Sequence, residues 1–445
     1  MSTHWFRRAW TGERVADGVR IEVDASGTIT ASESGVRDPQ DDWTVHDGLA
    51  LPGAVNAHSH AFHRLLRGRT HGDGGTFWTW RSVMYRAAAQ LDPEIYRAVA
   101  TAVYAEMVTA GYTAVGEFHY VHHRPDGTPY PDHAMERALA QAAVDAGIRL
   151  VLLDTAYLTG GIGADGPQPP GEEQQRFTDG DIESYLERHT ALRQVLAGVS
   201  DRVTVGAAIH SVRAVPEAAI ARFASLDGPV HVHLSEQPAE NAACREAYGV
   251  TPTGLLERTG VLPTLGPRLS AVHATHLTEA DVAALGGAGA SVVMCPTTEA
   301  DLADGIGPAR ALADAGASVA LGSDQHVVLD PLLEVRGLEA GERLGSGERG
   351  RFAPGDLVAA LTTGGSRSLG LPAGLVPGGP LDVVVVDDAS VRTIGSVDEQ
   401  LVLAATAQDA REVLVAGRVV ARDGAHTALG DVAALYRTAY SLLDL

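Results

Sequence analysis

The chain has 445 residues, 45% apolar and 20% charged, an ordinary globular balance with enough apolar sequence for a large core. That length fits two or three domains, or one large α/β barrel with an addition. A formal charge of −22 argues against nucleic acid or anionic membrane as a partner, and no run of eighteen apolar residues is present to span a bilayer.

All 34 basic residues are arginine. The absence of lysine excludes Walker-type phosphate loops, Schiff-base chemistry, pyridoxal-phosphate attachment and metal sites bridged by a carbamylated lysine. Two cysteines, Cys244 and Cys295, make no disulfide framework, and no apolar stretch follows the arginines near the N-terminus. A cytoplasmic protein without a signal peptide is the expectation.

In chain order, residues 1–50 read as short β segments at 19–23 and 28–31, then a turn-rich stretch to Gly48. Residues 49–60 read as a first apolar strand. Asp92-Pro93 starts a helix and Gly111 stops it; residues 112–120 follow as a strand. A second helix from His133 to Ala146 stops at Gly147, and 148–157 is the next strand. Residues 160–180, rich in Gly, Pro and Gln, read as a loop over the active face, partly mobile. Apolar strands at 203–210, 230–236, 269–275, 291–296 and 318–324 complete a set of eight, most of them separated by helical segments. Valine-rich β segments return at 381–386 and 412–420.

Eight apolar strands alternating with helices predict a (β/α)₈ TIM-like barrel, because parallel strands covered by helices read as continuous apolar runs. A doubly wound sheet is disfavoured, since no Gly-rich dinucleotide turn follows the first strand. The expected division is a barrel over 51–370 and a small β-sandwich domain built from 1–50 and 371–445, with a helix at the end.

Polar residues gather at the C-terminal ends of the expected strands, where barrel enzymes place their sites. His58 and His60 end the first, His233 and Glu236 the fifth, His273 the sixth and Asp324 the eighth. A solitary His-x-His is as readily a pair of solvated loop residues. Joined by the other strand ends, three histidines and an aspartate can hold one divalent ion and leave a place for water.

Leu51-Pro52-Gly53, with Asn56, His58 and His60, resembles the first-strand motif of the amidohydrolase superfamily, and 230–237, 271–276 and 322–326 follow its order of His, His and Asp. Longer strings resemble the formimidoylglutamate deiminase family of that superfamily. They are Phe77-Trp78-Thr79-Trp80-Arg81, Glu117-Phe118-His119-Tyr120, His210-Ser211-Val212-Arg213-Ala214-Val215 and Cys295-Pro296-Thr297-Thr298-Glu299-Ala300, and the likeness runs from about residue 50 to 345.

The resemblance implies a metal-dependent hydrolase that converts N-formimino-L-glutamate to N-formyl-L-glutamate and ammonia in histidine degradation. It implies one zinc ion per subunit, held by His58, His60, His233 and Asp324. Glu236 and His273 flank the hydrolytic water, with Asp324 as its proton acceptor. Arg81 and Arg213 grip the two carboxylates of a dicarboxylate amidine, and His63, Tyr120 and His210 lie beside them. His63 departs from the family's usual glutamine, and Gln325 stands where serine is common.

Blander roles are expected for other residues: His231 as a packing residue one layer down, Trp78 and Trp80 as packing near the mouth, and Cys295 as a buried thiol. At most one of His119, His122 and His123 should touch substrate, while Glu299 and Asp301 shape a loop. The competing functions are a related deaminase acting on a cyclic amidine or nucleobase, and a non-catalytic scaffold. A homodimer is the base-rate oligomer.

Overall fold

Gly53 divides what the sequence presents as one strand, 49–60, between two sheets. In a computed structural model describing residues 2–72, 77–163 and 166–444, Thr44–Pro52 joins a terminal sheet and Ala54–Ser59 opens the barrel. Pro52 cannot donate to a ladder. A Cβ on Gly53 would lie 2.1 Å from Thr113 Oγ1, so only glycine lets the chain pass this close to the second barrel strand.

The barrel strands run Ala54–Ser59, Tyr112–His119, Arg149–Ala156, Val203–Ser211, Val230–Leu234, Leu269–His273, Ser291–Met294 and Ser318–Leu321. Each pairs in parallel with the next, and the ring draws together where Ser59 bridges Asp324. Small side chains, Ala57, Val272, Val293, Cys295 and Ala320, cluster within it. One layer down, His231 Nε2–H donates to the Ser368 carbonyl at 2.9 Å, the packing role expected of it.

The helices start and stop for the reasons the sequence gives. Asp92 caps Pro93–Ala110 by accepting from the Ile95 amide at 2.8 Å, and Gly111 ends it at φ 113°. Ala134–Ala146 ends at Gly147, φ 72°. Residues 160–180 are more ordered than expected. They form a hairpin of Gly161–Gly163 with Gly166–Gln168 and a 3₁₀ turn at Glu172–Phe177. Arg176 ties that turn down by donating to the Leu91 carbonyl at 2.9 Å; Ala164 and Asp165 lie outside the described residues.

Strands of both termini form one eight-stranded sheet, joined where Val383–Val386 pairs antiparallel with Thr44–Pro52. Ser2–Trp10, a member that the apolar pattern does not reveal, carries Arg7 and Arg8 in mid-strand, where they pair with Asp388. The last helix, Val432–Ser441, lies against Pro93–Ala110, and its Tyr436 hydroxyl donates to Glu106. No helix among the described residues is long and apolar enough to cross a membrane.

Beside the second and third strands lies a buried ionic network. Arg188 donates to Asp154 at 2.8 Å and to Asp179 at 2.7 Å, while His189 and His122 bond Asp154 and Glu136, each at 2.9 Å. Burial lowers His119 in this region to about 4, and burial together with His46 lowers His4 in the terminal sheet to about 4. The unfolded chain, with histidines near 6.5, therefore binds more protons than the folded one between those values. The stability these groups contribute is full above pH 6.5 and is lost as pH falls toward 4. Moving from pH 7 to 5 should lower the unfolding free energy by up to about 2 kcal/mol per histidine. Urea titrations at the two pH values read this. The pH dependence should be weaker in His119→Gln, and equal stability at pH 5 and 7 would contradict the assignment.

Candidate active site

Imidazoles and one carboxylate converge at the barrel's C-terminal mouth. His58 lies on the first strand, His60 just past its end, His233 on the fifth strand and Asp324 in the turn after the eighth. The Nε2 atoms of His58 and His60 are each 3.3 Å from Asp324 Oδ1, and His233 Nε2 is 3.1 Å from His58 Nε2.

Two backbone contacts fix the tautomers. His60 Nδ1–H donates to the Phe118 carbonyl at 2.8 Å, and His233 Nδ1–H donates to the His210 carbonyl at 2.9 Å. Both Nε2 lone pairs therefore face the cluster. Burial, reinforced by the neighbouring imidazoles, lowers all three histidines, His60 to about 3, so they stand neutral. Lone pairs and a carboxylate oxygen then meet with at most the His58 N–H to share among them. Hydrogen bonds cannot satisfy that arrangement; a cation can. Tetrahedral coordination with bonds near 2.0–2.1 Å separates ligand atoms by roughly 3.3 Å, close to the three contacts found.

The turn that presents Asp324 is strained and heavily braced. Asp324 and His326 adopt φ of 42° and 58°. The Ser323 amide donates to Asn56 Oδ1 at 2.9 Å, the Asp324 amide to the His58 carbonyl at 3.0 Å, and His326 Nδ1 bonds Ser323 Oγ at 2.8 Å. Asp324 and Glu236, expected at strand ends, thus lie in turns beyond Leu321 and Leu234. Those turns let the backbone aim each carboxylate across the barrel axis, which a pleated strand end does not.

Above the donor set is a cavity with about 650 Å³ of empty space open to solvent. His60, His63, Arg81, Tyr120, His210, Arg213, His233, Glu236, His273 and Asp324 all line it, and His58 lies buried beneath. His63 Nε2 bonds the Tyr120 hydroxyl at 2.9 Å. Arg81 donates twice to the Tyr85 hydroxyl, at 2.8 and 2.6 Å. None of His119, His122 and His123 lines the cavity, and the Phe77 and Trp78 side chains lie outside the described residues.

Acid and base meet on the far wall. His273 Nε2 is 4.0 Å from Glu236 Oε1, and its Nδ1 is 3.4 Å from Glu299 Oε1. Burial opposes protonation of His273, but Glu236, Glu299 and Asp324 outweigh it and raise the imidazole to about 10; a dication nearby works in the opposite sense. Two residues behind the cavity wall give no signal in the sequence. Gln174 donates to the Tyr157 hydroxyl at 2.6 Å and to the Tyr85 hydroxyl at 3.3 Å, and so supports the Arg81 contact from the 160–180 segment. Glu240, pushed up to about 7 by burial against the pull of Arg213, stands behind both Arg213 and Glu236.

Comparison with known proteins points the same way. The Amidohydrolase family model matches residues 49–420. A formimidoylglutamate deiminase of Pseudomonas aeruginosa is 38% identical, covering 96% of each chain. A 5-methylthioadenosine/S-adenosylhomocysteine deaminase of Natronomonas pharaonis is 29% identical, covering 93% of this chain and 89% of that one. Among solved structures, an amidohydrolase from Brucella melitensis superposes with a TM-score of 0.91 at 31% identity, covering 100% of both chains.

The meeting of the first and eighth strands has a steric signature. A Cβ on Gly322 would lie 2.8 Å from His58 Cβ and 2.9 Å from its backbone N and O. Gly322→Ala should therefore destabilise the fold by about 1–3 kcal/mol through overpacking. Urea unfolding of the metal-free protein measures this; a variant as stable as the parent would mean the strands can separate at no cost.

Proposed function

The chain belongs to the amidohydrolase family, and we propose that it hydrolyses N-formimino-L-glutamate to N-formyl-L-glutamate and ammonia, a step of histidine degradation, using one zinc ion per subunit. The observation that carries this reading is a metal-type donor set sharing one cavity with two arginines, Arg81 and Arg213. The 38% identity to a formimidoylglutamate deiminase supports it.

His58, His60, His233 and Asp324 would hold the ion, and a nitrogen-rich set suits zinc. When bound, it supplies the Lewis acidity that makes hydroxide available from water near neutral pH. The chain's own groups do the rest. Arg81 and Arg213 each take a carboxylate through the planar guanidinium fork, which orients the formimino carbon toward Asp324. Asp324 accepts the proton of the attacking water at its carboxylate. His273 donates a hydrogen bond to the attacking oxygen. Glu236 carries the other proton of that water to the imino nitrogen, and the proton held by Asp324 follows to the same nitrogen as the carbon–nitrogen bond breaks, so that ammonia leaves and the carbon keeps the oxygen as a formyl carbonyl. His63, Tyr120 and His210 form a hydrogen-bonding wall, and Tyr157 and Phe177 exclude water from the cavity. Free, buried Cys244 and Cys295 suit a reducing cytoplasm.

A second reading, deamination of a nucleobase or nucleoside, rests on the aromatic lining of Trp80, Tyr120, Tyr157 and Phe177, on which a planar base could stack. The arginines favour the dicarboxylate.

Ammonia release separates the two. Zinc-loaded protein should turn over N-formimino-L-glutamate but not adenosine, guanine or cytosine, and metal analysis should find one zinc per chain. Arg213→Ala should raise KM about 10²-fold, by stripping a charged hydrogen-bond partner from a carboxylate. Turnover of a base alone would transfer the protein to the second reading.

Asp324→Asn should lower kcat by 10² to about 10⁴-fold, with metal content followed in parallel. An active variant with full metal occupancy would remove Asp324 from the proton transfer.

A further inference from the structure

Glu240 is a buried carboxylate that the fold leaves underpaired. It sits in the first turn of the helix Pro238–Tyr248 and is 1% exposed. Its Oε1 has no hydrogen-bond partner. Its Oε2 accepts the Glu236 amide at a long 3.3 Å and lies 4.0 Å from Arg213 Nε, beyond hydrogen-bond reach. Asp154 and Glu339, buried acids elsewhere in the fold, are better served. Asp154 has Arg188 at 2.8 Å and His189 at 2.9 Å, and Glu339 has Arg343 at 2.6 Å and two backbone amides at 3.1 and 2.9 Å.

Arg213 is incomplete in the same place. Its Nε is buried without a hydrogen-bond partner, and its Nη2 stands 3.7 Å from Glu236 Oε2. Its backbone is fixed, because Thr159 Oγ1 donates to the Arg213 carbonyl at 3.0 Å and the next carbonyl accepts two amides at 2.7 and 2.9 Å. Only the side chain is free to choose a partner. A buried charge is costly unless fully paired, so a loosely held triangle of Glu240, Arg213 and Glu236 beside the reacting groups calls for a functional reason.

We propose that Glu240 is a positioning residue: it holds the Arg213 guanidinium back from Glu236, so that the guanidinium stays open to a substrate carboxylate and Glu236 stays free to move its proton. This deepens the functional reading above and rests on it. With the Glu240 charge gone, the carboxylate that remains within 4.0 Å of Arg213 among the described residues is Glu236. The two would close into a salt bridge, taking the grip from the substrate and the proton carrier from the reaction. Both kcat and KM would then suffer, although Glu240 touches no reacting atom.

Two double-mutant cycles on full-length protein test this, over the parent, Arg213→Ala, Glu240→Gln and the double variant. Both cycles are run at pH 8.5, where Glu240, pushed up to about 7, is ionised; glutamine keeps an acceptor for the Glu236 amide and removes the charge. The first cycle is urea unfolding of the metal-free proteins, which needs no substrate. Arg213→Ala should lower the midpoint more than the double variant does, because it leaves Glu240 with no cation. The second cycle is zinc-loaded turnover of N-formimino-L-glutamate. Glu240→Gln should lower kcat/KM about tenfold, with kcat down and KM up, yet less than about twofold once Arg213 is alanine.

Independent effects in the unfolding cycle would overturn the pairing. An additive loss of kcat/KM, or a loss in stability with unchanged kinetics, would overturn the positioning role. An inert parent enzyme would instead overturn the substrate reading, and the unfolding cycle would still decide on the pair.

Discussion

Everything in the site depends on one electrostatic constraint: several electron-pair donors are forced to face the same point. Left alone they repel. The fold imposes the arrangement by three separate means. Backbone carbonyls at Phe118 and His210 hold the Nδ1 protons of His60 and His233, so their Nε2 lone pairs have one direction to point. Burial keeps the imidazoles neutral. A glycine at 322 brings the eighth strand against His58 closely enough for Asp324 to reach it. The positive φ at Asp324 and the bonds from Asn56, Ser323 and His326 are what holding that geometry requires. Strain of this kind persists only where surrounding contacts over-determine it.

The second constraint is charge. A chain carrying −22 would repel the proposed dicarboxylate at long range, so attraction would have to be local and protected from the chain's own acids. The arginines are handled differently. Arg81 donates to the Tyr85 hydroxyl, which Gln174 steadies. Arg213 faces two carboxylates, neither within hydrogen-bond distance. Deeper acids such as Asp154 and Asp179 share the single guanidinium of Arg188. The same global charge therefore coexists with a cavity lined by two guanidinium groups.

The barrel and the residues that gather in its mouth were largely legible in the sequence, for a geometric reason. Each barrel strand contributes its last residues to the same face, so a chemistry-bearing residue after an apolar run is already placed, and His58, His60, His233, His273 and Asp324 could be read in order. What depends on contacts between distant segments was not legible. Glu240 meets Arg213 across 27 positions by position number, and Gln174 meets Tyr85 across 89; no periodicity marks either. Nor does a hydropathy pattern show that Gly53 hands the chain from one sheet to another, since both sides of it are apolar and buried. Ser2–Trp10 was hidden by the arginines that now bind Asp388.

The two departures from the resembled family, His63 and Gln325, looked unrelated in sequence, and the structure joins them through one indole. The His63 ring meets Trp80 edge-on, with centroids 5.3 Å apart, and Trp80 Nε1–H donates to Gln325 Oε1 at 2.6 Å. Gln325 Nε2 continues to Asp301 Oδ2 at 2.9 Å. A serine at 325 is too short to span from the Asp324 turn to that indole, and an amide at 63 would not offer the same aromatic edge. Trp80 precedes Arg81 on the helix Phe77–Ala89, so the Asp324 turn and that helix share one hydrogen-bonded strut. The two residues therefore bear on the same wall of the cavity through Trp80, and neither is a neutral replacement considered without the other.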